Sequence, residues 1–141
     1  MERTVAVEPV VDAGRSARKR AAILAAAHEL FLQKGYAGTS MDDVAARAAV
    51  SKQTVYKHFA DKQRLFTEVV TSDVGRTEDE TEERMAAMPD STDLAADLRD
   101  FARWHLADVM QPGRLRLRRM LIGEAERFPE LARAWYATGP E

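Results

Sequence analysis

Between Ser51 and Phe59 the chain reads Ser-Lys-Gln-Thr-Val-Tyr-Lys-His-Phe. Wound as a helix, this stretch turns Val55 and Phe59, four residues apart, inward. Lys52, Gln53, Thr54, Lys57 and His58 then face out. Their chemistry suits the edges of base pairs. The Gln53 amide places a donor beside an acceptor and matches adenine, and Lys52 or Lys57 suits guanine or a phosphate. Hydroxyls at Thr39, Ser40 and Tyr56 can donate to phosphate oxygens, which position a protein on a duplex without reading its sequence. Such a reading helix must be short, because a major groove is about 12 Å wide and admits one helix.

Other helices must hold that segment in place. Residues 1 to 14 lack an apolar period and end in Asp12-Ala13-Gly14, the pattern of a flexible arm. A first helix is expected from about Ser16, with Ile23, Leu24, Ala27, Leu30 and Phe31 on one stripe, and Gly35 just past Lys34 to close it. Ser40 with Asp43 forms a capping box for a short second helix ending near Ala48, with Val44, Ala45 and Ala48 inward. Ser51 caps the third helix and Asp61 a fourth, whose inner face is Leu65, Phe66, Val69 and Val70. Two helices joined by a tight turn behind a longer one make a helix-turn-helix head over residues 15 to 62.

Residues 63 to 141 read as a second, helical domain. The acidic run Thr77 to Glu83 either extends the fourth helix or frays. Met88 to Thr92 is a loop by composition. Leu94, Leu98, Phe101, His105 and Val109 mark a fifth helix. Pro112 opens a sixth, expected to reach about Phe128, and Pro129 opens a seventh through Tyr136. The fold class is therefore all-α, with seven helices.

Charge follows the same division. The formal net charge is −2, but residues 15 to 64 hold ten basic and four acidic side chains, a net of +6. Residues 65 to 141 carry a net of −6. The first part suits a polyanion and the second does not. Arg15, Arg18, Lys19 and Arg20 fit a phosphate-contacting cluster, with Arg18 the residue assigned to contact; a solubilising helix start is the plainer account, and it opposes the helix dipole.

Catalysis finds little footing. There is no Cys, so disulfides and thiolate metal sites are excluded and a reducing cytoplasm is the natural compartment. The three His are scattered, away from metal-ligand spacing. No nucleophile sits with a base, and no Gly-rich loop cradles phosphate. No enzyme, cofactor or metal is expected. No apolar run approaches the ~20 residues that span a bilayer, and the N-terminus lacks the order of a signal peptide. Phe101, Trp104, His105, Met120, Glu124 and Trp135 are candidates to line a ligand site between the fifth, sixth and seventh helices, although large side chains at helical spacing are commonly plain core. A helical adaptor that keeps the head as a scaffold is the competing functional class.

The segment from Gly38 to Lys62 resembles the TetR family of repressors. The specific part is Val50-Ser51, Thr54-Val55-Tyr56, His58-Phe59 and Lys62, preceded by Phe31 to Tyr36 (F-L-Q-K-G-Y). The likeness is strong over residues 16 to 70. It is weaker beyond, where Ile122 to Tyr136 looks like the sixth and seventh helices of some members. The resemblance implies a cytoplasmic homodimer on a palindromic double-stranded DNA operator, released by a small-molecule effector bound in the C-terminal helices. It makes Thr54, Tyr56 and His58 DNA contacts and Lys62 a phosphate contact. It also assigns the dimer interface to two helices after the seventh. The chain is therefore expected to be partial in its second domain, and to dimerise weakly as it stands. Members commonly carry Gly where this chain has Ala49. A left-handed turn there would cost on the order of 1 kcal/mol; a right-handed turn would not, and the sequence leaves both open.

Overall fold

The computed structural model describes residues 10–88 and 92–138. They form seven helices, and among the described residues there is no strand. The chain divides into two compact units between Leu65 and Phe66.

The first unit is built on α1 (Val10–Lys34), α2 (Met41–Ala48) and α3 (Lys52–His58). Helix α1 starts at Val10 and not near Ser16, so residues 10 to 14 of the expected arm are helical. One interior Gly, Gly14, costs only about 1 kcal/mol relative to Ala and does not stop the helix. The rest of that arm, residues 1 to 9, lies outside the described residues. The core takes Ile23, Ala27, Leu30 and Phe31 from α1, Val44 and Ala45 from α2, and Val55 from α3. Tyr36 and Phe59 close it, with the Tyr36 ring stacked on Phe31 at 6.0 Å. Leu24 and Ala48 are only half-buried. Residue Gly35 ends α1 with φ +74°, a left-handed turn open to Gly without strain. At Gly38 a Cβ would stand 2.4 Å from the Lys34 carbonyl oxygen, so the connector needs a residue without a side chain.

Helix α4 (Lys62–Ala86) starts on the Asp61 cap, whose carboxylate accepts the Arg64 amide at 2.8 Å. It runs unbroken through the acidic stretch 77–83. The second unit comprises α4 from Phe66 onward, α5 (Leu94–Val109), α6 (Pro112–Gly123) and α7 (Pro129–Thr138). Helix α5 is capped by Asp93, which accepts from the Ala96 amide. Pro112 stands in the first turn of α6, where its missing N–H costs nothing.

Helix α6 stops at Gly123, five residues short of the expected end at Phe128. Turns replace it: the Arg127 and Phe128 amides both donate to the Glu124 carbonyl. Pro129 explains part of this, because the residue before a proline is pushed out of the α region. Phe128 is thereby released inward, where its ring meets Phe66 at 5.2 Å.

Candidate nucleic-acid interface

Helix α3 buries a single one of its seven side chains, Val55. Phe59, just past its end, is the second anchor at 3% exposure. That spacing of four fixes which side of α3 faces away from the core. Lys52, Gln53, Tyr56 and Lys57 are exposed, with Tyr56 at 44%, and Thr54 and His58 are half-buried. Ser51 sets the helix start: its Oγ accepts the Thr54 amide at 3.1 Å and lies 2.7 Å from the Thr54 hydroxyl. An N-cap of this kind is commonly worth about 1 kcal/mol.

The turn before α3 sets its angle to α2. Ala49 has φ 54° and ψ 43°, so the left-handed alternative is the one adopted. Its amide reaches the Ala46 carbonyl at 3.3 Å, and the Val50 amide reaches that of Ala45 at 3.1 Å. This pair of bonds is the Schellman closure, which normally uses Gly at the left-handed position. At the other end of α2, Ser40 accepts from the Asp43 amide at 3.1 Å, and the Ser40 amide donates to the Asp43 carboxylate at 3.3 Å. That backbone bond, then Lys34 at 3.3 Å and the Ser40 hydroxyl, holds the Asp43 carboxyl below its ordinary pKa.

The remaining expected contacts divide. Ser40 and Arg18 are exposed. Thr39 is not: it is 2% exposed, and its hydroxyl donates to the Gly35 carbonyl at 2.9 Å. This threonine braces the connector, and its hydroxyl does not reach the surface where a phosphate would lie. The sequence shows the hydroxyl but not its burial. The Lys62 ammonium donates to the Tyr36 carbonyl at 2.9 Å and sits over the Tyr36 ring at 4.4 Å. It is half-buried and ties the start of α4 to the connector. Lys52 is exposed but paired with Asp42 at 2.8 Å, and that carboxylate raises its pKa. A lysine so paired carries less charge to a phosphate than its sequence position promises.

Within the second unit a cavity of about 680 Å³ opens among α4, α5, α6 and α7. His105 and Trp135 line it; Phe101, Trp104, Met120 and Glu124, the other expected residues, do not. Phe101 and Trp104 instead pack around His105 on α5, at 5.8 and 6.0 Å from its ring. One whole wall comes from α4, including Val70 and Thr77, which the expected site between the last three helices left out. Sequence reasoning also missed Arg114. The signal was available in the run Arg114, Leu117, Arg118, Leu121, which is one face of α6 at helical spacing. Leu117 and Leu121 are buried on that face.

Comparison with known proteins agrees with this architecture. The family model described as bacterial regulatory proteins, tetR family, matches residues 23–69. A second, described as the C-terminal domain of AefR-like transcriptional repressors, matches residues 96–141. A solved TetR-family transcriptional regulator from Mesorhizobium loti is 45% identical with a TM-score of 0.83, over 89% of this chain and 62% of that one. The Flavonoid-responsive Regulator FrrA is 37% identical with a TM-score of 0.61, over 88% of this chain and 61% of its own. The transcriptional activator FasR of Mycolicibacterium smegmatis is 42% identical over 52 residues, 37% of this chain and 24% of FasR. The chain thus spans about six-tenths of the solved neighbours and a quarter of that curated relative. With two TetR-family models matching residues 23–69 and 96–141, and a 45% identical solved neighbour superposing over 89% of this chain, the chain belongs to the TetR family.

Proposed function

We propose that this chain is the DNA-reading and effector-sensing part of a non-catalytic, cytoplasmic transcriptional regulator, acting as a repressor. The observation that carries the reading is α3. It is a capped seven-residue helix with one buried side chain, and it presents Gln53, Tyr56 and Lys57 to solvent from a region, residues 15 to 64, of net charge +6. Gln53 and Lys57 read base edges, Tyr56, Ser40 and Arg18 hold phosphates, and Thr54 and His58 lie at the margin of the contact. Lys52 joins them on releasing Asp42. Repression is favoured by the repressor description of the C-terminal family model, while FasR is named an activator.

The regulator works as a homodimer on a palindromic operator, because two recognition helices must enter major grooves about one helical turn, ~34–36 Å, apart. A small molecule in the cavity of the second unit biases that spacing. The 680 Å³ volume suits a ligand of ordinary metabolite or drug size. The name of FrrA, a regulator responsive to flavonoids, is in keeping with such an effector.

Titration of short duplexes at several salt concentrations tests the reading. Affinity should fall steeply as salt rises. Failure to bind duplex DNA even at low salt would favour the adaptor role instead.

A further inference from the structure

The cavity holds hydrogen-bonding groups whose needs the protein leaves unmet. The buried Nδ1 of His105, the Nε and one terminal nitrogen of Arg114, and the Oδ2 of Asp108 have no hydrogen-bond partner among the described residues. His105 and Arg114 line the same space. Buried polar groups are nearly always satisfied, so two residues with unmet groups in one cavity call for an occupant.

Charge narrows what that occupant is. The Arg114 guanidinium lies 3.1 Å from the Asp108 carboxylate and 3.9 Å from that of Asp73, and it donates to the Thr77 hydroxyl. Asp73 is also paired with Arg76 at 3.0 Å. The arginine charge is therefore already matched. The other charged side chains lining the cavity are Glu78, Glu82 and Arg118, which lean negative. Arg118 lies over the Trp135 ring at 5.4 Å and is outnumbered by Glu78 and Glu82, so an anionic ligand is disfavoured, and an ammonium group would leave the Arg114 Nε–H still unmet. A hydroxyl suits the site: its oxygen accepts from Arg114, and it can donate to or accept from His105 in either tautomer. The rest of the lining is apolar, with Val70, Val109, Leu117, Leu121 and the Trp135 indole. Aromatic rings pack well on such a surface.

We infer that the cavity takes a neutral phenol: an apolar aromatic molecule whose hydroxyl docks between His105 and Arg114. This rests on the proposed effector role of the same cavity and names the chemical class of the effector.

Four probes of one shape separate the possibilities on the intact chain: 4-phenylphenol, biphenyl, biphenyl-4-carboxylate and 4-phenylbenzylamine. Calorimetry gives each affinity, and the Trp135 indole N–H resonance reports entry into the cavity. The phenol should bind roughly 10- to 100-fold tighter than biphenyl and both charged probes, as expected for hydrogen bonds to buried, partly charged groups. In His105→Phe, which keeps the ring but not the nitrogen, the phenol should fall toward biphenyl while biphenyl itself is unchanged. Biphenyl binding as tightly as the phenol, tighter binding of a charged probe, no binding by any of the four, or a His105→Phe variant that keeps full preference for the phenol would each overturn the inference. DNA release is measured separately with the same probes. A phenol that binds the cavity without releasing DNA leaves the class standing and removes the effector role. Release by all four alike keeps the effector role and removes the class.

Discussion

Replacing Ala49 by Gly should make the head more stable, which is the opposite of what Gly does at nearly every other helix position. Ala49 sits at φ 54°, ψ 43°, where an L-residue pays roughly 1–2 kcal/mol for the crowding of its Cβ against the backbone. Glycine removes that cost. It also loosens the unfolded chain, which returns about 0.4–1 kcal/mol. The net is a gain of about 0.5–1 kcal/mol. The bonds that close the turn run from the Ala49 and Val50 amides, so the substitution leaves them in place, and the residue is exposed, so no packing is lost. Native-state amide hydrogen exchange in the intact chain is the suitable assay, because both Trp residues lie in the second unit and report little on the head. The amides of Val44, Ala45 and Val55 should exchange about 2- to 5-fold more slowly, the factor that corresponds to this free energy. Ala46→Gly, at an exposed position inside α2, supplies the opposite sign and should speed the same amides by a similar factor. Unchanged or faster exchange in Ala49→Gly would mean that the turn is not strained in solution, and the argument from backbone geometry would fail.

Three further outcomes follow from contacts in the head. Asp42→Asn releases Lys52 and removes a negative charge beside α3, so DNA affinity should rise and the slope of log affinity against log salt should steepen by up to about one unit; an unchanged slope in a salt titration would mean that Lys52 never reaches a phosphate. The lowered pKa of Asp43 means that the folded head prefers the ionised carboxyl, so its contribution to stability is present above about pH 4 and drains away as pH falls through the lower folded value. Urea unfolding of the head across pH 2 to 6 should show that acid limb flattened in Asp43→Asn. Lys62→Ala should lower head stability by about 1–2 kcal/mol as well as weakening DNA binding, since its ammonium holds the Tyr36 carbonyl and ring; a variant that loses DNA affinity with no change in exchange rates would restore a purely phosphate-binding role.

The head was legible because its signals are local. Ser40 with Asp43, Ser51 and Asp61 each announce a helix start, and every one of those caps is formed. Val55 and Phe59 announce the inward side of α3, and both are buried. What escaped depended on neighbours distant in sequence or on competing local terms. Thr39 and Lys62 look like surface donors until the connector folds back over them. The start of α1 at Val10 runs against an apparent arm with a Gly in it, and the end of α6 at Gly123 runs against an apolar pattern that continues to Phe128. The cavity was the least legible part. Its α4 wall carries an acidic run, which by composition reads as a solvated face, and only the packing of α5, α6 and α7 makes that wall an interior one. Arg114 reads as one basic residue among several in α6 until Asp108 and Asp73 are brought beside it.

The claim on which everything else rests is that α3 reads base sequence. Its most direct test is to select bound duplexes from a random pool, then measure wild type and Gln53→Ala on the enriched duplex and on each single-base variant of it. An enriched motif is expected and, for Gln53→Ala, a loss of about 1–3 kcal/mol of discrimination at one base pair with the other positions unchanged. Tyr56→Ala, measured alongside, should weaken binding to all duplexes nearly alike. No enriched motif, or an equal loss on every duplex for Gln53→Ala, would contradict it.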